Sequence, residues 1–172
     1  MFIPLFRNMS KGLNIPIDKG KKRLIIIGGG FAGLKLARNL SGRDFQILLI
    51  DKNNFHQFQP LFYQESTSGL EPSAIAFPFR KIFQKKFDFH FRTAEALSVN
   101  PEKNELITSI GSVNYDYLVI ATGCDTNYFN QNKLQESTMS LKSISEALYA
   151  RNVILDNWEK ALNEDNPVDI EK

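Results

Sequence analysis

The chain has 172 residues, 42% of them hydrophobic and 23% charged, a globular mixture that excludes disorder as the main state and allows one domain with a sizeable core. A net charge of +2 and a pI of about 8.6 are too weak a bias to argue for nucleic-acid binding. The single cysteine, Cys124, excludes an intrachain disulfide framework and a cysteine-rich zinc site, and no apolar run reaches the roughly 18 residues of a spanning helix.

Residues 1–8 carry an apolar patch broken by Pro4, too short for a signal segment, and Met9 is a second possible start. From Lys11 to Arg23 five basic residues face one acid, Asp18, so residues 1–22 read as a flexible, solvated arm. Leu24-Ile25-Ile26-Ile27 is a short β-branched run opening into glycines, the pattern of a strand buried on both faces of a parallel sheet. Leu36, Ala37 and Leu40 recur at helical spacing until Ser41-Gly42, and Ile47–Ile50 is a second buried strand ending in Asp51. Strand, turn, helix and strand fit within about 30 residues, the length of a βαβ unit.

Residues 53–69 are polar and aromatic and read as an irregular binding loop. A short helix is expected over Pro78–Lys85, then a period-2 strand over Phe87–Arg92 with one wet face, on which His90 is solvated. A meander follows: Leu97–Val99, a turn at Asn100-Pro101, Leu106–Ile110, a turn at Gly111-Ser112, and Tyr115–Ile120 running into Ala121-Thr122-Gly123. Ser143-x-x-Glu146 is a capping box opening a helix with Ile144, Leu148, Leu155, Trp158 and Leu162 on one face, ended by Asn166-Pro167. Of the fourteen phenylalanines, those at 77, 79, 83, 87, 89 and 91 fall mostly at core spacing, whereas Phe55, Phe58 and Phe62 are expected beside a ligand. Cys124 has no partner cysteine and reads as a small buried hydrophobe, and the basic group Arg80, Lys81, Lys85, Lys86 and Arg92 as a solvated face.

Gly28-Gly29-Gly30-Phe31-Ala32-Gly33 matches G-x-G-x-x-G between a strand and a helix, with Asp51 closing the next strand 18 residues after Gly33. Gly28 permits the tight turn, Gly30 lets the backbone approach a pyrophosphate, and Gly33 lets the helix pack closely on the strand; the helix N-terminus supplies positive charge. Asp51 is placed to accept from the adenosine ribose hydroxyls, and its charge disfavours a 2′-phosphate. The fingerprint alone leaves NAD and FAD open. The antiparallel excursion that returns to a strand ending in Ala-Thr-Gly decides for FAD, because a simple nicotinamide dehydrogenase continues with alternating strands and helices. The expected fold is therefore α/β, a Rossmann-like FAD-binding domain with a parallel sheet, a βαβ unit and a three-stranded antiparallel meander.

These elements, together with Asn54-Phe55-His56-Gln57-Phe58-Gln59-Pro60-Leu61-Phe62-Tyr63-Gln64, Phe77-Pro78-Phe79-Arg80 and Asp116–Gly123, resemble the type II NADH dehydrogenases, single-subunit NADH:quinone oxidoreductases. The likeness runs from Lys21 to Phe129 and more faintly to Leu162; the His56–Gln64 stretch is its most specific part. It implies that Gly28 to Ala32 hold the FAD pyrophosphate, that Asp51 with Lys52 holds the adenosine, and that Ala96 contacts adenine through its backbone. Gln59, Pro60 and Gln64 would lie along the isoalloxazine, with Ala121, Thr122 and Gly123 touching the flavin nucleotide. Glu65-Ser66 stands where a small apolar pair is expected.

The resemblance further implies NADH and quinone as substrates, peripheral attachment to the inner, cytoplasmic face of the plasma membrane, and a homodimer. With one glycine fingerprint, the chain is expected to be an N-terminal fragment: residues 23–142 as the first half of the FAD domain, and 143–172 leading toward an NADH-binding domain, with Val168-Asp169-Ile170 approaching its first strand. Two other readings stand beside it, a stand-alone dinucleotide-binding module without catalysis and a fragment of a sulfide:quinone-type flavoprotein.

Overall fold

A computed structural model describes residues 13–16 and 20–163. Met9, most of the expected arm, Pro167 and Val168–Ile170 lie outside the described residues. The chain divides into two compact units, the first made of residues up to His56 with Pro78–Gly123, the second of Gln57–Phe77 with the chain from Cys124 onward.

In the first unit β1 (Lys22–Ile27), β2 (Phe45–Asp51), β5 (Phe89–Thr93) and β9 (Tyr117–Ile120) form a sheet in the order β5-β2-β1-β9. All three pairings are parallel. The unbroken apolar runs of β1 and β2 follow from burial on both faces. Ile25, Ile27, Leu48 and Ile50 pack on one side with Leu106 and Val113, while Leu24, Ile26, Ile47 and Leu49 pack on the other with Ala37, Phe79, Phe83 and Phe91. The first helix, α1 (Phe31–Leu40), crosses between β1 and β2 and buries Gly33 and Ala37, whose small size lets it approach the sheet. Asp116 anchors the start of β9, accepting from the Arg23 amide at 2.7 Å and the Lys22 ammonium at 3.1 Å. These bonds hold its carboxyl below the usual carboxylate range, the Arg23 backbone bond first.

Part of the expected arm is held against this sheet instead of being free. Leu13 is buried in the core, and its carbonyl and that of Asn14 accept from the Arg92 guanidinium at 2.9 and 2.8 Å, while Pro16 accepts from Gln46 Nε2 at 2.7 Å. The sequence pattern hid this because the donors come from β2 and β5. The helix expected over Pro78–Lys85 is a single turn, α4 (Phe79–Ile82): Phe79 and Phe83 are buried in the core with Ile82 packed against it, and the Lys86 amide closes a turn onto Phe83. The following strand accordingly starts at Phe89, which stacks on Phe83 at 3.7 Å, and Phe87 is 100% exposed.

The meander is an antiparallel sheet of β6 (Ala96–Asn100), β7 (Glu105–Thr108) and β8 (Gly111–Asn114). Its second turn falls at Ser109-Ile110, two residues before the position expected, so the third strand of the meander is Gly111–Asn114 and Tyr117–Ile120 joins the parallel sheet instead. Thr108 Oγ1 donates to the Gly111 carbonyl at 2.6 Å, and Gly111, with φ 132°, opens β8.

The two short strands β3 (Phe55–Gln57) and β4 (Ala76–Pro78) pair with each other. In the second unit a 3-10 turn (Gln59–Leu61) leads into α2 (Phe62–Ser66), followed by α3 (Pro72–Ile75), α5 (Asn132–Ser137) and α6 (Ile144–Leu162). The stretch 53–69 is thus largely regular, and Phe62 is buried core instead of a ligand-side aromatic. At Ser143 the capping box forms as expected: its hydroxyl accepts from the Glu146 amide, and the Glu146 carboxylate accepts from the Ser143 amide at 2.9 Å. Ile144 also donates its amide to Gln57 Oε1 at 2.9 Å. The apolar stripe of α6 is buried only at its start, since Leu155, Trp158 and Leu162 are exposed.

A candidate dinucleotide site at the carboxyl ends of β1, β2 and β9

The chain steps from β1 outward to β2 and β5, then returns to the other side of β1 as β9. In such a sheet the crevice at the carboxyl ends, where the winding reverses, is the place for a ligand. Gly28 follows β1 there, Asp51 ends β2, and Ala121-Thr122-Gly123 follows β9.

Three of the four fingerprint glycines are explained by the protein's own packing. Gly28 has φ +97°, and a Cβ on it would overlap the Ala121 carbonyl. A Cβ on Gly29 would enter the Phe79 ring, and one on Gly33 would overlap the Gly28 carbonyl oxygen. Gly30 differs. Its backbone is extended (φ −65°, ψ −166°), a conformation any residue adopts, and a Cβ on it meets nothing within 4 Å among the described residues. Neither strain nor packing requires a glycine there; a ligand lying against the backbone would.

Gly30 is also the N-cap of α1, which has no side-chain cap and no acidic residue in its first turn. The amides of the first turn are therefore left without a capping side chain or an acidic residue of the helix itself. Phe31 and Ala32, on that first turn, are exposed.

Asp51 braces the glycine turn. Its Oδ2 accepts from the Gly29 amide at 2.6 Å and its Oδ1 from the Asn53 amide at 2.7 Å. Each carboxylate oxygen has two lone pairs, so acceptor capacity remains for a ribose hydroxyl. Lys52 pairs with Glu95 at 2.9 Å; that hydrogen bond, then the charge of Glu95, raises the ammonium above its ordinary pKa. The pair ties the end of β2 to the residue before Ala96, which is half-buried at the head of β6. Thr122 and Gly123 are exposed, and Gly123 (φ +73°) likewise has nothing within 4 Å of an added Cβ.

His56, which the sequence leaves open between an exposed or hydrogen-bonded loop histidine and a flavin-side residue, is tied to the glycine turn. It is buried, its Nδ1–H donates to the Gly29 carbonyl at 2.9 Å, and its ring meets Phe31 edge-on at 5.2 Å. Asp51 and His56 thus hold the two ends of one residue, Gly29. The sequence neighbours of His56, Phe55 on one side and Gln57 on the other, gave no sign that it turns inward.

Gln59, Pro60 and Gln64 belong to the second unit. Gln59 and Pro60 are exposed on the 3-10 turn, and Gln64 Nε2 donates to the Tyr63 hydroxyl at 2.9 Å. Cys124, expected to be buried, is exposed, because the chain has left the sheet by that point. His90 is half-buried instead of solvated; burial first, then Arg92 and Arg23, hold its imidazole below the ordinary histidine pKa.

A parallel sheet with a glycine turn, an uncapped helix N-terminus and an acid closing the second strand defines a dinucleotide-binding α/β domain. The chain belongs to the pyridine nucleotide-disulphide oxidoreductase family, which it matches over residues 22–157. It is 32% identical over 151 residues to the type II NADH:quinone oxidoreductase Ndh of Mycobacterium tuberculosis, covering 86% of this chain and 33% of that protein. Among solved structures it is similar to NDH2 from Plasmodium falciparum in complex with NADH (TM-score 0.78, 25% identity, 87% of this chain and 32% of that one). It is also similar to the sulfide:quinone oxidoreductase of Aquifex aeolicus (TM-score 0.71, 29% identity, 80% and 32%). The chain spans about a third of the length of these proteins.

Proposed function

We propose that this chain is the N-terminal, FAD-binding part of an NADH:quinone oxidoreductase. The observation that carries the dinucleotide is Gly30, a glycine that the protein itself does not need. The adjoining residues fit the group: the α1 N-terminus and the backbone of Gly28 to Ala32 for the pyrophosphate, Asp51 for the ribose, Lys52 and the Ala96 backbone for the adenosine. By the resemblance to the type II enzymes, Ala121, Thr122 and Gly123 would hold the flavin nucleotide, and Gln59, Pro60 and Gln64 would serve the isoalloxazine. Bound there, FAD supplies a two-electron carrier between NADH and a quinone.

The work of these residues is positional. Asp51 holds the Gly28–Gly29 peptide by its N–H and His56 the Gly29–Gly30 peptide by its carbonyl, which keeps the glycine turn set for a ligand with little reorganisation. The positive end of α1 favours the diphosphate. The similarity to a type II NADH:quinone oxidoreductase supports NADH as the donor and quinone as the acceptor for the whole protein. A sulfide:quinone enzyme is the second reading, favoured by the Aquifex structure but with the lower TM-score. Membrane contact is peripheral on this reading, at the cytoplasmic face and through chain outside these 172 residues, and the protein is a homodimer. Among the described residues no helix is long and apolar enough to cross a membrane.

Equilibrium dialysis of the purified 172-residue chain against FAD, NAD and NADP tests the cofactor. FAD retained in preference to the other two is the expected result. Tight NAD binding without flavin would overturn it in favour of a non-catalytic dinucleotide module.

A further inference from the structure

In the second unit α2 packs against α6, and the buried side chains there include Phe62, Ile75, Ile144, Ala147 and Ala150. Glu65 is buried with them, 0% exposed, and among the described residues neither of its carboxyl oxygens has a hydrogen-bond partner. Removed from water and offered no donor, an ionised carboxylate is strongly disfavoured in such a place, whereas the neutral acid is tolerated. The charges that face it are Arg151 from α6, which attracts the carboxylate, and Glu71 from the segment before α3, which repels it. The 3-10 turn packed on α2 carries no ionisable side chain, and on α2 itself the only other titratable group, the Tyr63 hydroxyl, accepts from Gln64.

We propose that Glu65 is a proton-operated latch: it stays packed beneath α6 while it holds a proton, and loss of that proton draws the carboxylate out toward Arg151 and water, loosening α2 from α6. Burial raises the pKa of Glu65 above the ordinary carboxylate range; Arg151 opposes the rise and Glu71 adds to it. Its sign is fixed by proton counting. Between the unfolded and folded ionisations the packed state binds the extra proton, so the stability of this packing is full at low pH and declines as pH rises through that window. The latch stands apart from the cofactor assignment. Because α2 carries Gln64, opening would also move a residue placed beside the flavin, and that consequence alone rests on the proposed function.

The test is an NMR titration of the 172-residue chain carrying 13C-labelled glutamate, with hydrogen-exchange protection of α2 and α6 amides followed over roughly pH 5 to 9. The Glu65 signal is expected to titrate above the ordinary ~4.3 of a glutamate. Protection of α2, corrected for intrinsic exchange, should fall through the same interval by up to about tenfold per pH unit. E65Q, which keeps the shape without the charge, should remove that fall. R151Q should move the midpoint up and E71Q should move it down. A Glu65 midpoint in the ordinary carboxylate range, or parallel loss of protection in wild type and E65Q, overturns the proposal. The wild-type titration decides the matter even where E65Q fails to fold.

Discussion

Replacing Gly30 by alanine separates a glycine kept for a ligand from one kept for the fold. The added methyl meets nothing within 4 Å and the backbone is already extended. Removing a glycine from the unfolded ensemble contributes about 0.4–1 kcal/mol of stability, and alanine is a poorer N-cap than glycine by up to ~1 kcal/mol. The two nearly cancel, so the urea midpoint, read by circular dichroism, should stay within about 1 kcal/mol of wild type. FAD affinity should nonetheless fall by about tenfold or more, the equivalent of ~1.4 kcal/mol, because the methyl occupies the face left for the diphosphate. Gly33→Ala makes the contrast. Its methyl overlaps the Gly28 carbonyl oxygen, a backbone atom that no rotamer change can clear. The expected loss is about 1–3 kcal/mol of stability. Unchanged FAD affinity in Gly30→Ala would show that the glycine is not kept for the ligand, and unfolding of Gly30→Ala would show that packing requires it.

His56→Phe keeps the apolar bulk but removes the donor to the Gly29 carbonyl, leaving it unpaired in a buried place; a loss of roughly 1–3 kcal/mol is expected by denaturant melts. Asp51→Asn should weaken FAD binding while leaving the secondary structure intact, checked by dialysis and circular dichroism, since one amide bond to Gly29 can be kept through its carbonyl oxygen. For His90, whose folded pKa is lowered, the unfolded chain binds the extra proton just below the ordinary histidine value. Stability should therefore drop as pH falls from about 7 toward 5, and His90→Gln should flatten that limb in melts taken across the range. Ile26→Ala, in the middle of the doubly covered strand β1, should cost about 2–5 kcal/mol.

Local signals revealed the parts of the fold that local rules govern. The β-branched run of β1, the glycine turn, the capping box at Ser143 and the return through Ala121-Thr122-Gly123 all depend on backbone conformation or near-neighbour hydrogen bonds, and each can be read within a few residues. Failures came where distant partners decide. Leu13 looks like part of a solvated arm until Arg92, on the edge strand, accounts for its carbonyl. Phe62 looks like a ligand-side aromatic in a polar stretch, yet α2 turns it inward. Cys124 looks apolar enough to bury, but the sheet ends before it.

By itself the sequence determined the class of the protein: the order of strands, the βαβ unit, the antiparallel excursion and the glycine spacing follow from periodicity and backbone permissiveness, which are properties of the chain. Only the tertiary structure decided what each residue in that pattern is for. It separated Gly30 from the packed glycines around it, set Asp51 and His56 at the two ends of Gly29, and enclosed the Glu65 carboxyl with no donor among the described residues. Packing, desolvation and hydrogen bonding depend on which atoms meet in space, and the residues that meet here are 22 to 27 positions apart at the glycine turn.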